Sequence, residues 1–420
     1  MDELRVEFLG HEFDNPFIIG SASPTVDGAH MRKIVEKGWG SYIVKTLSLD
    51  KNVRPDVRPR LSGMGRYSHL FGLQNCELIT THTLDWWERE LRMLRDLDSP
   101  MIVSIMATPE LEDWATMGRW CEENGADIIE LNVSCPHGCP EEHMGSFIGQ
   151  DPQLVHDVTK AVKDDVSIPV MTKLTPNVTD IVPVGKAAKK GGADALSTIN
   201  TVGGINGVDI YNRIPAPYVL NKGTISGNSG PAMRTIAYKW VSELAANINL
   251  PISGIGGIDS WEAATGMMML GASTTQVVTA AMVEGFDIVQ EWKRRLAEFM
   301  REQGYETIED IVGKALPSLS DYEHLEVEDH LYPEIDDTRC IQCQRCRIAC
   351  ADTGGEAIIT PYLNEIDDDK CLGCALCKTV CPVDAISMVV RDGSLRWTRK
   401  QGPPTDRKEV DVGLTAEEGK

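Results

Sequence analysis

Eight short apolar runs punctuate the chain, at Phe17 to Ala22, Ser41 to Ser48, Met101 to Ala107, Asp127 to Val133, Pro169 to Thr175, Ala195 to Thr201, Pro251 to Gly256 and Thr274 to Ala280. Each is bounded by Gly, Pro or polar clusters, the pattern of a strand buried on both faces. Between them, apolar positions recur at helical spacing, as in Met31 to Glu36, Leu84 to Leu97, Leu154 to Val162, Met233 to Ala245 and Trp261 to Leu270. After the eighth run, Ile288, Val289, Trp292, Leu296 and Phe299 fall on one helix face. Such alternation predicts an α/β fold with a parallel sheet, and eight repeats favour closure into a (β/α)8 TIM barrel over an open doubly wound sheet. Ahead of the first run, Val6 to Phe13 alternates on either side of Gly10, which predicts a hairpin at the barrel floor.

The strand and helix pattern stops after Arg301. A chain of 420 residues exceeds the roughly 250 of one barrel, so a second module is expected. The boundaries read from the pattern are a barrel at 1–305, an acidic linker at 306–336, a cysteine-rich domain at 337–392 and a polar tail at 393–420. No Lys or Arg occurs between Asp321 and Thr338, a stretch rich in Asp and Glu. It reads as a solvated acidic surface or as a docking strap.

Composition is that of an ordinary globular protein, with 42% hydrophobic and 25% charged residues. The formal charge of -22 opposes attraction to nucleic acid and to anionic membrane surfaces, and neither is expected as a partner. With no long apolar window and no basic, apolar start of a signal-peptide kind, the expected location is the cytoplasm.

Eight of the 12 cysteines fall in two runs. Cys340, Cys343, Cys346 and Cys350 form the first; Cys371, Cys374, Cys377 and Cys381 form the second, with Pro382 following. This is the spacing of a two-cluster bacterial ferredoxin, in which the fourth cysteine of each run ligates the other run's cluster. One [4Fe-4S] cluster would therefore take Cys340, Cys343, Cys346 and Cys381, and the other Cys371, Cys374, Cys377 and Cys350. Structural zinc is the weaker reading, because it needs four ligands, usually in separated pairs. The fold class is thus a barrel with a C-terminal 2[4Fe-4S] ferredoxin-like domain. Clusters that pass single electrons imply a donor outside the chain and an acceptor within it.

The barrel offers a place for that acceptor. The fourth run ends at Asn132, Ser134 and Cys135, where a strand's C-terminal end faces a ligand. Cys135 reads equally as a small buried hydrophobe. Lys45 and Lys173 end two other runs, and a buried ammonium needs an anionic partner, which a flavin gaining negative charge would supply. Gly254-Ile-Gly256-Gly257 and Thr279-Ala280 stand where barrels bind phosphate, although a glycine loop of this kind is also an ordinary tight turn.

Four stretches carry a resemblance: Asn132-Val-Ser-Cys135-Pro-His-Gly138, Thr172-Lys-Leu-Thr-Pro-Asn-Val-Thr-Asp180, Ile199-Asn-Thr-Val202 and Gly256-Gly-Ile-Asp-Ser260. They resemble the FMN barrel of the dihydropyrimidine dehydrogenase family, related to class I dihydroorotate dehydrogenases. With the ferredoxin domain, the chain is similar to the catalytic subunit of the bacterial enzymes from about Leu4 to Met388. The resemblance implies reduction of the 5,6 double bond of uracil or thymine, with FMN and two [4Fe-4S] clusters as cofactors. It also implies an FAD-containing partner subunit that oxidises NAD(P)H, and a homodimeric core within a hetero-oligomer.

Residue by residue, the family's substrate contacts fall on Asn75, Asn132, Ser134, Asn200 and Thr201, and its general acid on Cys135. Its FMN contacts fall on Ala22, Ser23, Lys45, Thr46, Lys173, Ser229, Gly230, Gly256, Gly257, Thr279 and Ala280. In this reading Cys135 protonates C5 while hydride reaches C6 on the opposite ring face. A thiol with a free pKa of about 8.5 stays protonated for that task at neutral pH. The sequence departs from the family at Cys139, Glu141 and Glu142, and again at 203–228. Two alternatives remain: oxidation of dihydroorotate or turnover of another ring or enoyl substrate, and a non-catalytic electron relay.

Overall fold

The computed structural model describes residues 2–65, 70–136, 143–325, 331–359, 365–390, 395–398 and 413–416. The chain divides into two compact units, Met1–Leu319 and Ser320–Lys420.

In the first unit, all eight expected strands form: β1 (Phe17–Ile19), β2 (Ser41–Leu47), β3 (Met101–Ile105), β4 (Ile128–Asn132), β5 (Val170–Lys173), β6 (Ala195–Thr198), β7 (Ile252–Ile255) and β8 (Thr274–Val277). They close into one parallel barrel in chain order, with β8 pairing back onto β1. Both faces are covered: Ile18, Ile43, Val103, Ile129, Val170 and Leu196 are fully buried. Helices supply the outer layer, among them Gly28–Glu36, Leu111–Glu123, Pro152–Lys163 and Trp261–Met269. Three of these begin at side-chain caps: Asp27 accepts from His30 N, Asp151 from Gln153 N and Ser260 from Ala263 N. Each cap satisfies a backbone donor that the first turn would leave unpaired. Trp87 and Trp114 fill the space between helices and strands, and each such buried side chain contributes at least about 1.5–3 kcal/mol. The expected hairpin forms as Val6–Phe8 against His11–Phe13, with Val6, Phe8 and Phe13 in the same core.

Two insertions build a sheet that the pattern did not foreshadow. Leu61–Met64 and Gly72–Asn75 follow β2; Val202–Gly204 and Ser226–Ser229 follow β6. They join as one antiparallel sheet, with Asn75 paired to Leu61 on one side and to Gly227 on the other. Asn75 thereby reaches a fixed position from an otherwise irregular excursion.

The stretch expected as a linker from 306 packs on the barrel as far as Leu319. Ile308 and Ile311 are fully buried, and Gly313 N and Ala315 N donate to the carbonyls of Met268 and Met269. In the second unit, Tyr332–Ile335 pairs antiparallel with Ile386–Val389, and the sheet continues to Leu395–Thr398 and Gly413–Ala416. Of the short helices, Arg345–Asp352 carries Cys346 and Cys350 of the first run and Leu376–Thr379 carries Cys377 of the second. The rest of the expected polar tail lies outside the described residues, as do Cys139, Glu141 and Glu142. Among the described residues no helix is long and apolar enough to cross a membrane.

Candidate active site

Side chains alternate along a strand, so Glu130 and Asn132 of β4 share the inward face, as Lys173 does at the end of β5. At the C-terminal ends of the strands these faces open into a cavity whose empty space, with its mouth and open solvent included, is about 1050 Å³. Its wall includes Ala22, Ser23, Lys45, Thr46, Asn75, Asn132, Cys135, Lys173, Asn200, Thr201, Ser229, Gly230, Gly256, Gly257 and Thr279. Two expected residues are not on that wall. Ser134 is fully buried behind it, and Ala280 lies one residue beyond Thr279.

Ser134 orients the amides instead of facing the cavity. Its hydroxyl donates to Asn132 Oδ1 at 2.9 Å and accepts from Asn200 Nδ2 at 2.9 Å. Asn200 Nδ2 also donates to Asn132 Oδ1 at 3.1 Å, while Asn132 Nδ2 donates to Thr46 Oγ1 at 3.1 Å. Those bonds fix which end of each amide carries the donor, and one N–H of Asn132 remains for a ligand. Thr201 N donates to Asn200 Oδ1 at 2.7 Å, and Asn75 Nδ2 to Gly227 O at 3.3 Å. The wall therefore presents neutral amides and hydroxyls in set orientations.

Cys135 is 9% exposed and lies on this wall. Ser146 N donates to its carbonyl at 2.9 Å, so both ends of the intervening loop are anchored there. Gly145 has φ +62°, and a Cβ on it would stand 2.4 Å from the Cys135 carbonyl oxygen. Burial pushes the Cys76 thiol up from its ordinary value, as it does for Cys121; Cys76 sits beside Asn75 but is not on the cavity wall.

Both expected lysines reach the cavity, but the protein supplies their anionic partners. Lys45 Nζ lies 3.4 Å from Glu77 Oε2, and Lys173 Nζ donates to Glu130 Oε1 at 3.2 Å. This corrects the expectation that a flavin would be their counter-ion. Sequence reasoning missed Glu77, which also lines the cavity and accepts from Ser23 Oγ at 2.8 Å. It missed Gln276 too, whose Nε2 donates to Ser197 Oγ at 2.9 Å and to Ser253 Oγ at 3.0 Å.

The residues present fit FMN. Gln276 lines the cavity, and its Oε1 is buried without a hydrogen-bond partner, an acceptor that a ring donor would satisfy. Gly256 (φ +124°) and Gly257 (φ +75°) bring β7 tightly around, and a Cβ on Gly257 would stand 2.4 Å from Arg234 N. Ser229 Oγ accepts from Thr279 Oγ1 at 3.0 Å, tying the neighbouring loops into one cradle. Such closely approached backbone at barrel strand ends suits a phosphate. Gly257→Ala is expected to destabilise the barrel by more than about 1 kcal/mol and to reduce flavin retained through gel filtration; wild-type melting and flavin content would count against this cradle.

In the second unit, Cys350 lines a separate cavity together with Cys371, Cys374 and Cys377. Among the described residues no three His, Cys, Asp or Glu converge as on a single ion. Ala357 N donates to Cys350 Sγ at 3.3 Å, Ala385 N to Cys381 Sγ at 3.2 Å and Gln342 N to Cys340 Sγ at 3.4 Å. Hydrogen bonds of this kind stabilise cluster thiolates. Burial pushes the Cys377 thiol up to about 12.

Comparison with known proteins agrees with this geometry. Residues 3–300 match the dihydroorotate dehydrogenase family, and residues 333–388 match a 4Fe-4S dicluster domain. The chain is 37% identical over 363 residues, 85% of its length and 87% of the relative's, to the NAD-dependent dihydropyrimidine dehydrogenase subunit PreA of Escherichia coli. It is 33% identical to the chloroplastic dihydropyrimidine dehydrogenase (NADP(+)) of Arabidopsis thaliana, over 75% of this chain and 77% of that one. The catalytic subunit of dihydroorotate dehydrogenase B (NAD(+)) of Pyrococcus horikoshii is 38% identical over 74% of this chain and 98% of its own length. With its barrel, its cavity and its two domain matches in agreement, the chain belongs to the dihydroorotate dehydrogenase family, as an oxidoreductase acting on CH–CH groups with a C-terminal 4Fe-4S dicluster domain.

Proposed function

We propose that this protein reduces the 5,6 double bond of uracil or thymine, using electrons from NAD(P)H that arrive through a partner flavoprotein and two [4Fe-4S] clusters. The observation that carries the substrate assignment is the charge on the cavity wall. Among its described residues the cations are Lys45 and Lys173, and each already faces a buried carboxylate. A neutral imide ring suits such a wall; the carboxylate of dihydroorotate would need an uncompensated cation. Relatives of both kinds share the barrel at similar identity, so the wall, not the identity, favours the uncharged ring.

FMN bound in the barrel cavity would supply hydride to C6 of the ring. Asn75, Asn132 and Asn200 would line the imide edge, and the remaining N–H of Asn132 would donate to it. Ser134 and Thr46 keep the Asn132 and Asn200 amides in their set orientation. Cys135 would give its thiol proton to C5, and solvent would restore it to the thiolate. One NAD(P)H and one proton are then consumed per ring reduced. Cys340, Cys343, Cys346 and Cys381 would hold one cluster, and Cys371, Cys374, Cys377 and Cys350 the other. We place the functional division at a barrel with its strap, a ferredoxin-like domain and a tail.

The substrate is tested by mixing the oxidised holoprotein, without oxygen, with dihydrouracil, dihydrothymine and dihydroorotate in turn. Bleaching of the flavin by the first two and not by the third is expected. Bleaching by dihydroorotate alone would replace this reading with the dihydroorotate dehydrogenase one.

A further inference from the structure

We propose that Glu130 is a positioning residue that fixes the Lys173 ammonium and offsets its charge, and so sets the reduction potential of the flavin. The inference rests on the proposal that the barrel cavity holds FMN. Glu130 is fully buried in the middle of β4 and is not on the cavity wall, so it touches neither ring nor solvent. A buried carboxylate is costly unless paired, and this one is paired from two sides. Its Oε1 accepts from Lys173 Nζ at 3.2 Å and its Oε2 from Gln276 Nε2 at 3.4 Å. Gln276 Nε2 shares its two N–H groups among Glu130, Ser197 and Ser253, which links the carboxylate to four other strands.

Lys173 and Gln276 are on the wall, which makes them the groups through which Glu130 reaches a bound ring. Reduction adds negative charge to a flavin, and a nearby cation favours that state. With Glu130 behind it, the ammonium presents a compensated charge; in low dielectric the difference is large because water does not screen it. The other pair, Lys45 with Glu77, does not isolate the effect: Glu77 is itself on the wall and also meets Ser23 and Arg60. Glu130 is off the wall, and among its described side-chain contacts it meets only Lys173 and Gln276, so the Lys173→Met and double variants separate the part carried by Lys173 from the part carried by Gln276.

Redox titration of FMN-loaded wild type, Glu130→Gln, Lys173→Met and the double variant tests this. Glu130→Gln keeps the shape and removes the negative charge, so the potential should rise. It should fall in Lys173→Met, and the double variant should lie between, with non-additive effects. A purely structural role would lower the fraction of protein holding flavin without moving the potential of the flavin that remains. Unchanged potential in Glu130→Gln overturns the inference and leaves the proposed function standing. If Glu130→Gln does not fold, Glu130→Asp takes its place: it keeps the charge but draws it back from Lys173, and a wild-type potential there is the overturning result. Wild-type protein that binds no flavin overturns both proposals.

Discussion

Cys135→Ala should lose about 10²–10⁴-fold in pyrimidine turnover while keeping its flavin, the range expected when a positioned proton donor is removed. The thiol lies on the cavity wall and its backbone is anchored through Ser146. Alanine is smaller and removes no backbone bond, so flavin content and melting should stay near wild type. Cys135→Ser separates chemistry from volume, since a hydroxyl fills the space but is a far weaker acid than a thiol. Steady-state rates with uracil, alongside flavin content, decide the matter. A Cys135→Ala enzyme that reduces uracil at the wild-type rate would remove this residue from the mechanism.

Loss of a cluster ligand should separate electron supply from ring chemistry. Cys374 lines the second-unit cavity with Cys350, Cys371 and Cys377, so Cys374→Ala should cost that cluster. NAD(P)H-driven turnover with the partner flavoprotein should then fall to background. Flavin reduced directly by dithionite should still be reoxidised by uracil at the wild-type rate, because the residues proposed to contact the ring lie in the other unit. Turnover from NAD(P)H unaffected by loss of the cluster, as judged by iron content, would place the clusters off the route.

Much of this was legible in the chain because the signals are local. A buried parallel strand is an unbroken apolar run, and all eight runs became β1–β8. The two cysteine runs are local as well, and Cys350 lines one cavity with three cysteines of the other run. What escaped depends on contacts between distant segments. The four-stranded sheet carrying Asn75 pairs residues near 73 with residues near 228, through Gly-rich segments with little strand propensity of their own. Glu77 gains its meaning only when Lys45 and Ser23 close on it. Ser134 sits among the substrate residues in sequence, yet the strand end turns it inward to orient the amides. Glu130 did leave a local trace: a charged residue inside an apolar run predicts a buried partner, and Lys173 is that partner.

The central claim is that the cavity bearing Cys135 passes electrons to a pyrimidine ring. The most direct measurement reduces the anaerobic holoprotein with dithionite, removes the excess and mixes it with equimolar uracil while following flavin absorbance and product. Dihydrouracil forming in step with flavin reoxidation is the expected result. Flavin that stays reduced in the presence of both uracil and thymine would contradict it.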